Sequence, residues 1–203
     1  MAPHSSPLEL NHFAEVGNKV ADAAGEIIRK YFRKNFDVIH KHDLSPVTIA
    51  DQSAEEAMVS IILDSFPSHA IYGEENGWRC KEKNTDYVWV LDPIDGTKSF
   101  ITGKPVFGSL VALLQNGTPI LGIIDQPVLR ERWIGITGKR TTLNGQEIST
   151  RTCIPQAHIC SVEMQKRHSS VLEARLKFPY MVVTAMHMLF CLLVLWILLL
   201  SLV

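Results

Sequence analysis

One apolar run restricts the possible folds of this chain more than any other feature. Residues 87–91 are uncharged and apolar, and the acidic turn Asp92-Pro93-Ile94-Asp95-Gly96-Thr97 follows them at once. A short, unbroken apolar segment of this kind predicts a strand that is buried on both faces of a sheet. We expect the strand to end at Asp92-Pro93, so that two carboxylates three residues apart lie at its tip.

Two helices and a short strand are predicted ahead of this run. Apolar residues recur at steps of three and four over residues 11–32, which indicates an amphipathic helix. A basic, polar connector covers residues 33–45. Pro46 and Thr48 then lead into a second predicted helix, which ends near Phe66-Pro67. The segment 70–72 predicts a short strand that leads into a glycine and two glutamates.

The chain is rich in strands after the acidic turn. Residues 106–114 and 119–124 predict a hairpin around the tight turn Asn116-Gly117. A third strand is predicted over residues 131–136, and residues 143–146 indicate another turn near a sheet edge. Two helices followed by a mainly antiparallel sheet predict an α+β fold built in layers over residues 8–159.

Composition and charge exclude several classes of protein. Apolar residues are 46% and charged residues 20% of the chain, which is typical of a globular domain with a core. The 20 basic and 21 acidic residues leave a net charge of -1, so no basic excess is available to bind a nucleic acid. The four cysteines lack paired spacing, which favours a reducing compartment and argues against a zinc ribbon.

Acidic residues gather where the predicted elements begin or end. Glu74 and Glu75 follow a strand and a glycine, Asp92 and Asp95 end the apolar strand, and Asp51 lies at the start of the second helix. Two carboxylates close together on a turn repel each other, so a cation is expected between them. Oxygen ligands without nearby histidine or cysteine favour Mg²⁺ over zinc.

Each of these features also has a plainer interpretation. Asp-Pro and Asp-Gly are common turn dipeptides, Glu-Glu after glycine is typical of a solvated loop, and Asp51 alone is most often a helix cap. Gly96 and Thr97, however, would present backbone N–H groups at a helix start, where a phosphate binds well. The combination of all these features in one chain favours a metal and phosphate site.

Two segments, Gly73-Glu74-Glu75 and Trp89 to Thr97, resemble the signature of the inositol monophosphatase family. The flanking segments 97–105, 122–127 and 131–133 are more similar to its histidinol-phosphate phosphatase branch, especially the plant type. The resemblance implies an αβαβα sugar-phosphatase fold, of which this chain holds the N-terminal portion. It also implies a Mg²⁺-dependent phosphomonoesterase that hydrolyses L-histidinol phosphate in histidine biosynthesis, with inositol phosphate as the alternative substrate.

The resemblance also assigns roles to individual residues. In a site of two or three Mg²⁺ ions, the implied metal ligands are the side chains of Glu74, Asp92 and Asp95 and the backbone carbonyl of Ile94. Thr97 paired with Asp51, together with Glu74, is implied to be catalytic, because the pair would activate the attacking water. Gly96 and Thr97 would bind the phosphate, and Lys41 lies either near that phosphate or in a solvated loop.

The segment from residue 160 onward departs from the family pattern. Residues 181–203 contain no Asp, Glu, Lys or Arg, and by hydropathy alone they would form a membrane anchor. The reading frame can be shifted so that the last base of each codon is read with the first two bases of the next codon. In this shifted frame, the genetic code allows only Gly across Met181-Val182 and only Asp across Trp196-Ile197. Such family-like residues predict that 160–203 is an aberrant tail produced by a splice or gene-model shift.

These expectations bear on activity, assembly and location. The chain as written is expected to lack one metal ligand and to be impaired or inactive. The alternatives are an inositol phosphatase, an inactive fragment or a membrane-anchored interaction protein. The resemblance implies a small phosphorylated substrate, frequent homodimers and, for plant members, the chloroplast stroma, and a membrane partner is not expected. Residues 1–10 show no targeting signal, which would leave the chain in the cytoplasm.

Overall fold

The computed structural model describes residues 5–35, 38–40, 46–79 and 86–149, which form helices on a mixed sheet. In chain order the elements are α1 (Pro7–Tyr31), β1 (Val38–His40), β2 (Pro46–Thr48), α2 (Ile49–Ser65), β3 (Ala70–Gly73), β4 (Gly77–Arg79), β5 (Tyr87–Asp95), α3 (Thr97–Ile101), β6 (Gly108–Gln115), β7 (Thr118–Gln126), β8 (Glu131–Ile136), β9 (Thr142–Leu143) and β10 (Gln146–Glu147). The predicted α+β class is confirmed.

The main sheet of the described residues has the strand order β10-β9-β8-β7-β6-β5-β3-β4. The β3–β5 pair is parallel, and the other neighbouring strands run antiparallel. The predicted hairpin turns are both present, since Asn116-Gly117 and Asn144-Gly145 have positive φ values of 50°, 77°, 50° and 80°. Two consecutive residues with positive φ match the right-handed twist of the flanking strands, as Asn-Gly turns typically do.

Helix α1 begins four residues before the predicted start, and a capping box explains the difference. The hydroxyl of Ser6 accepts a hydrogen bond from the N–H of Glu9, and the carboxylate of Glu9 accepts one from the N–H of Ser6 at 2.7 Å. Pro7 occupies the first helical position, where its missing N–H costs nothing. The helix therefore begins at a local signal that precedes its apolar periodicity.

The main core lies between α1, α2 and one face of the sheet. Trp89 and Leu91 of β5 are buried on this face, whereas Val88 and Val90 are half-buried, so the strand is less enclosed than predicted. A smaller apolar cluster occupies the opposite face and contains Val90, Leu110, Ala112, Ile124 and Trp133. The sheet therefore has a helix-covered face and a second face with a separate apolar patch.

The connector predicted over residues 33–45 differs from the structure in one respect. It contains strand β1, which pairs with β2 in a two-stranded antiparallel ladder. Three residues per strand are too few to show an alternating pattern, which explains why the sequence reads as a polar connector. Within the described ranges, no helix has both the length and the apolar composition needed to cross a bilayer. The predicted tail 160–203 and Lys41 lie outside the described residues.

Candidate active site

The parallel pairing of β3 and β5 places Glu74 beside Asp92. Gly73 is the register partner of Leu91, and the N–H of Glu74 donates to the carbonyl of Leu91 at 3.0 Å. Glu74 follows Gly73, and Asp92 follows Leu91. Glu74 and Asp92 therefore lie at the same end of the sheet. Asp92 is buried, with 3% of its surface exposed. The structure thus brings together two acidic residues that are 18 positions apart in the sequence.

A bulge in β5 turns Asp92 and Asp95 to the same face of the sheet. Asp92 pairs with Leu110 of β6, and Asp95 pairs with Gly108, so three steps along β5 match two steps along β6. Residues two apart on a strand share a face, and cross-strand partners share a face as well. Without the extra residue, the two carboxylates would point to opposite sides. The acidic pair lies on the face that carries Leu110, away from α1 and α2.

Two side chains bond to the backbone of this bulge. The hydroxyl of Ser109 donates to the carbonyl of Pro93 at 2.7 Å in a buried position, and the hydroxyl of Thr97 donates to the carbonyl of Ile94 at 3.1 Å. Proline is tolerated because a bulge needs no ladder hydrogen bond from its nitrogen. Strand β5 therefore continues to Asp95 and does not end at Asp92-Pro93 as predicted.

Gly96 links the bulge to the short helix α3. Its φ of 97° is in the left-handed region, and a Cβ atom here would lie 3.1 Å from the carbonyl oxygen of Val106. Glycine is therefore required for both conformation and space. Gly96 is the N-cap and Thr97 the first residue of α3, as the helix start predicted from the sequence requires. The first N–H groups of a helix have no partner within it, which leaves them available to other acceptors.

Asp51 occupies the third position of α2 and closes a capping box with Thr48. One carboxylate oxygen, Oδ2, accepts from the backbone N–H of Thr48 at 2.7 Å and from its hydroxyl at 2.6 Å. Burial raises the pKa of Asp51; the bonds to Thr48 oppose this rise, and the negative charge of Glu74 adds to it. Asp51 is thus a helix cap, as its plainer interpretation states. Its pKa is also raised by the negative charge of Glu74, a predicted metal ligand.

The structure brings some of the predicted site residues together and leaves others apart. No hydrogen bond joins Thr97 to Asp51 in the described part of the chain, where their partners are Ile94 and Thr48. Among the same residues, no group of three or more His, Cys, Asp or Glu side chains is arranged to hold a metal ion. The ligand set therefore stays a prediction. Strand register places Glu74 next to Asp92 and turns Asp92 and Asp95 to one face of the sheet.

A cavity of about 470 Å³ adjoins Asp95 on the same face of the sheet. Its walls are formed by Asp95, Gly96, Pro105, Val106, Phe107, Gly108, Leu110, Ile124, Gln126 and Trp133. A cavity of this size suits a small ligand. Sequence reasoning missed Ser109, because nothing in an apolar strand marks one serine as a partner of a distant proline carbonyl.

Comparisons with known proteins agree with this fold. The sequence profile described as Inositol monophosphatase family matches residues 9–192. The bifunctional phosphatase IMPL2, chloroplastic, of Arabidopsis thaliana is 65% identical over 183 residues, covering 86% of this chain and 53% of the relative. A histidinol-phosphatase of Chlorobaculum parvum is 37% identical over 138 residues, covering 64% of this chain and 50% of the relative.

A solved structure of an inositol monophosphatase from Zymomonas mobilis superposes with a TM-score of 0.61 at 42% identity, covering 74% of this chain and 56% of that one. The chain belongs to the inositol monophosphatase family, so the resemblance seen in its acidic motifs is confirmed. It spans about half the length of the curated relatives it matches. The profile extends past residue 159, and the tail boundary there stays a prediction.

Proposed function

We propose that this chain is part of a Mg²⁺-dependent phosphomonoesterase that converts L-histidinol phosphate to L-histidinol and phosphate. The observation that carries the proposal is the placement of Asp92 and Asp95 on one face, beside Glu74, which directly follows the adjacent parallel strand β3. The name of one relative, a histidinol-phosphatase, supports this substrate, and the name of another, a bifunctional phosphatase, supports phosphatase activity in general.

The donor chemistry at the strand ends fits a hard divalent cation. The side chains of Glu74, Asp92 and Asp95 offer carboxylate oxygens, and the carbonyl of Ile94 keeps a second lone pair besides the one bonded to Thr97. These four groups would hold the metal. When bound, Mg²⁺ would neutralise charge on the phosphate and on the leaving oxygen.

Residues of the chain itself would position the phosphate and the attacking water. The backbone N–H groups of Gly96 and Thr97 at the start of α3 would hold phosphate oxygens, since phosphoryl transfer depends on positioning and charge stabilisation. Asp51 would accept the proton of the water, which is the role that the family resemblance implies for its pair with Thr97. The hydroxyl of Thr97 would orient the same water.

The test of this proposal compares two substrates on the family member in its intact frame. The transcript is sequenced across codons 160–203, and the protein that the restored frame encodes is assayed with L-histidinol phosphate and inositol 1-phosphate. We expect Mg²⁺-dependent phosphate release, with kcat/KM for L-histidinol phosphate higher by about tenfold or more. Preference for inositol 1-phosphate would overturn the substrate, and metal-independent turnover would overturn the site.

The 203-residue chain is the second arm of this experiment. We propose that these 203 residues by themselves have little or no turnover, because they span about half the length of the relatives they match. Full Mg²⁺-dependent turnover by the purified 203-residue chain would contradict this view. A transcript that encodes the tail in an undisturbed frame would contradict the predicted frame shift over residues 160–203. A chloroplast location is proposed from the name of the Arabidopsis relative and is tested by imaging a C-terminal fluorescent fusion.

A further inference from the structure

A buried glutamate on α2, one helical turn after Asp51, has no role in the function proposed above. Glu55 exposes only 1% of its surface. It is directed toward the turn between β3 and β4, which carries Glu74. A buried carboxylate is costly unless its oxygens are bonded, so the groups that surround it show what it is used for.

Among the described residues, three hydrogen bonds to Glu55 come from the two residues that follow Glu74 in the sequence. Its Oε2 accepts from the backbone N–H of Glu75 at 2.7 Å, and its Oε1 accepts from the backbone N–H of Asn76 at 3.0 Å and the side-chain amide of Asn76 at 2.7 Å. Hydrogen bonds to an ionised acceptor are roughly twice as strong as neutral ones. The carboxylate thus binds the turn immediately after the predicted metal ligand.

The carboxylate of Glu55 also leaves no room for a side chain at Gly73, the residue before Glu74. A Cβ atom on Gly73 would lie 2.3 Å from Cδ of Glu55 and 2.4 and 2.6 Å from its two oxygens. Glu55 therefore fills the space that a side chain at Gly73 would need. Because the N–H of Glu74 is bonded to the carbonyl of Leu91 at 3.0 Å, the backbone around this ligand is held from two directions.

We propose that Glu55 is a positioning residue that fixes the Glu74 turn against β5 and thereby aims the Glu74 carboxylate at the metal site. This inference rests on the proposed function, since it assumes that Glu74 binds the cation. Glutamine cannot replace the carboxylate, because its amide NH₂ would face an N–H donor on one side of the fork. The neighbouring Glu56 offers a matched control, since it pairs at the surface with Arg79 at 2.9 Å.

The experiment titrates Mn²⁺ into the full chain and follows free Mn²⁺ by electron paramagnetic resonance. It runs at a temperature at which circular dichroism shows every variant to be folded. We expect Glu55→Gln to weaken Mn²⁺ binding by about 10- to 100-fold, the usual effect of losing a group that orients a metal ligand. Glu56→Gln should bind as the wild type does. Amide hydrogen exchange over residues 73–77 should be faster in Glu55→Gln and unchanged in Glu56→Gln.

Each outcome decides the proposal. Unchanged Mn²⁺ affinity and unchanged exchange in Glu55→Gln overturn it. If Glu55→Gln does not fold, Asn76→Ala removes one of the three donors from an exposed residue, and it should weaken Mn²⁺ binding by less than about tenfold. No Mn²⁺ uptake by the wild type would refute the proposed function, and the exchange rates of residues 73–77 would then show whether Glu55 holds the turn.

Discussion

The Nε of Arg132 on β8 lies 2.7 Å from Oδ1 of Asp125 on β7, and this ion pair is the centre of a network that reaches α1. The same guanidinium donates to Asp22 at 2.7 Å and to the side-chain carbonyl of Asn18 at 2.9 Å. Asp125 is nearly buried, with 4% of its surface exposed. Burial raises the pKa of Asp125, although the bond and charge of Arg132 act against that rise.

Arg132→Met should therefore destabilise the chain strongly. The substitution leaves the Asp125 carboxylate buried without its cation, which costs about 3 kcal/mol in the free energy of unfolding. Urea unfolding at pH 7 measures the loss, and Arg79→Met removes a comparable surface pair that should cost about 1 kcal/mol or less. The Arg132→Met deficit should shrink as the pH falls toward 4, because protonation removes the buried charge. Equal losses in the two variants would contradict this account.

His69 should make the folded state less stable in mild acid. The Nε1–H of Trp89 donates to Nδ1 of His69 at 3.0 Å, and the imidazole stacks between Phe66 and Tyr87 at centroid distances of 4.6 and 4.7 Å. Burial lowers the pKa of His69 from 6.5 to about 4. Between pH 6.5 and about pH 4 the unfolded chain binds a proton that the folded chain does not. The free energy of unfolding therefore decreases by up to about 3 kcal/mol as the pH is lowered through this range.

His69→Phe should remove this pH dependence while lowering stability at pH 7. The variant leaves the buried Trp89 N–H without its acceptor, which costs about 1–3 kcal/mol at every pH. Urea unfolding of both proteins at pH 7 and pH 4.5 makes the comparison. The change in the free energy of unfolding between the two pH values is compared for the two proteins. The difference between these changes cancels the contributions of the other titratable groups. Identical losses on acidification would show that His69 does not titrate in this window.

Ser109→Ala should loosen the bulge that aligns Asp92 with Asp95. The substitution leaves the buried carbonyl of Pro93 without the donor it has at 2.7 Å, at a cost of about 1–3 kcal/mol. We expect weaker Mn²⁺ binding as well, because the two carboxylates depend on the bulge for their common face. Thr118→Ala, an exposed hydroxyl at the start of β7, is the control and should change stability by less than about 0.5 kcal/mol. A stable Ser109→Ala variant with wild-type Mn²⁺ affinity would contradict this prediction.

Gly96→Ala should be more harmful than an alanine at another glycine with positive φ. Gly138 has a φ of 76° with no atom within 4 Å of its missing Cβ, so Gly138→Ala reports the backbone strain alone, about 1–2 kcal/mol. Gly96→Ala adds a contact of 3.1 Å with the carbonyl oxygen of Val106, which is tighter than ordinary packing. Thermal unfolding compares the two variants. Equal shifts in Tm would mean that this contact relaxes without cost.

Local signals in the sequence predicted most of the fold, whereas the full set of site residues stays a prediction. The apolar run before Asp92 and the Asn116-Gly117 turn depend on nearby residues, so the strand and the hairpin appear where they are expected. The bulge at Pro93 was not predicted, because a register shift depends on how β5 pairs with β6. Glu55 was also missed, since a glutamate on a helix looks solvent-exposed until the turn beside Glu74 packs over it.

The most direct test of the central claim is Mn²⁺ binding by the full chain, compared with Asp92→Asn. Asp92 lies at the junction of the two acidic pairs, so its charge should be required for cation binding. Asp64→Asn, on an exposed position of α2, is the matched control. The account predicts saturable Mn²⁺ binding by the wild type and by Asp64→Asn, and none by Asp92→Asn. A wild-type chain that binds no Mn²⁺, or an Asp92→Asn variant that binds it equally well, would contradict it.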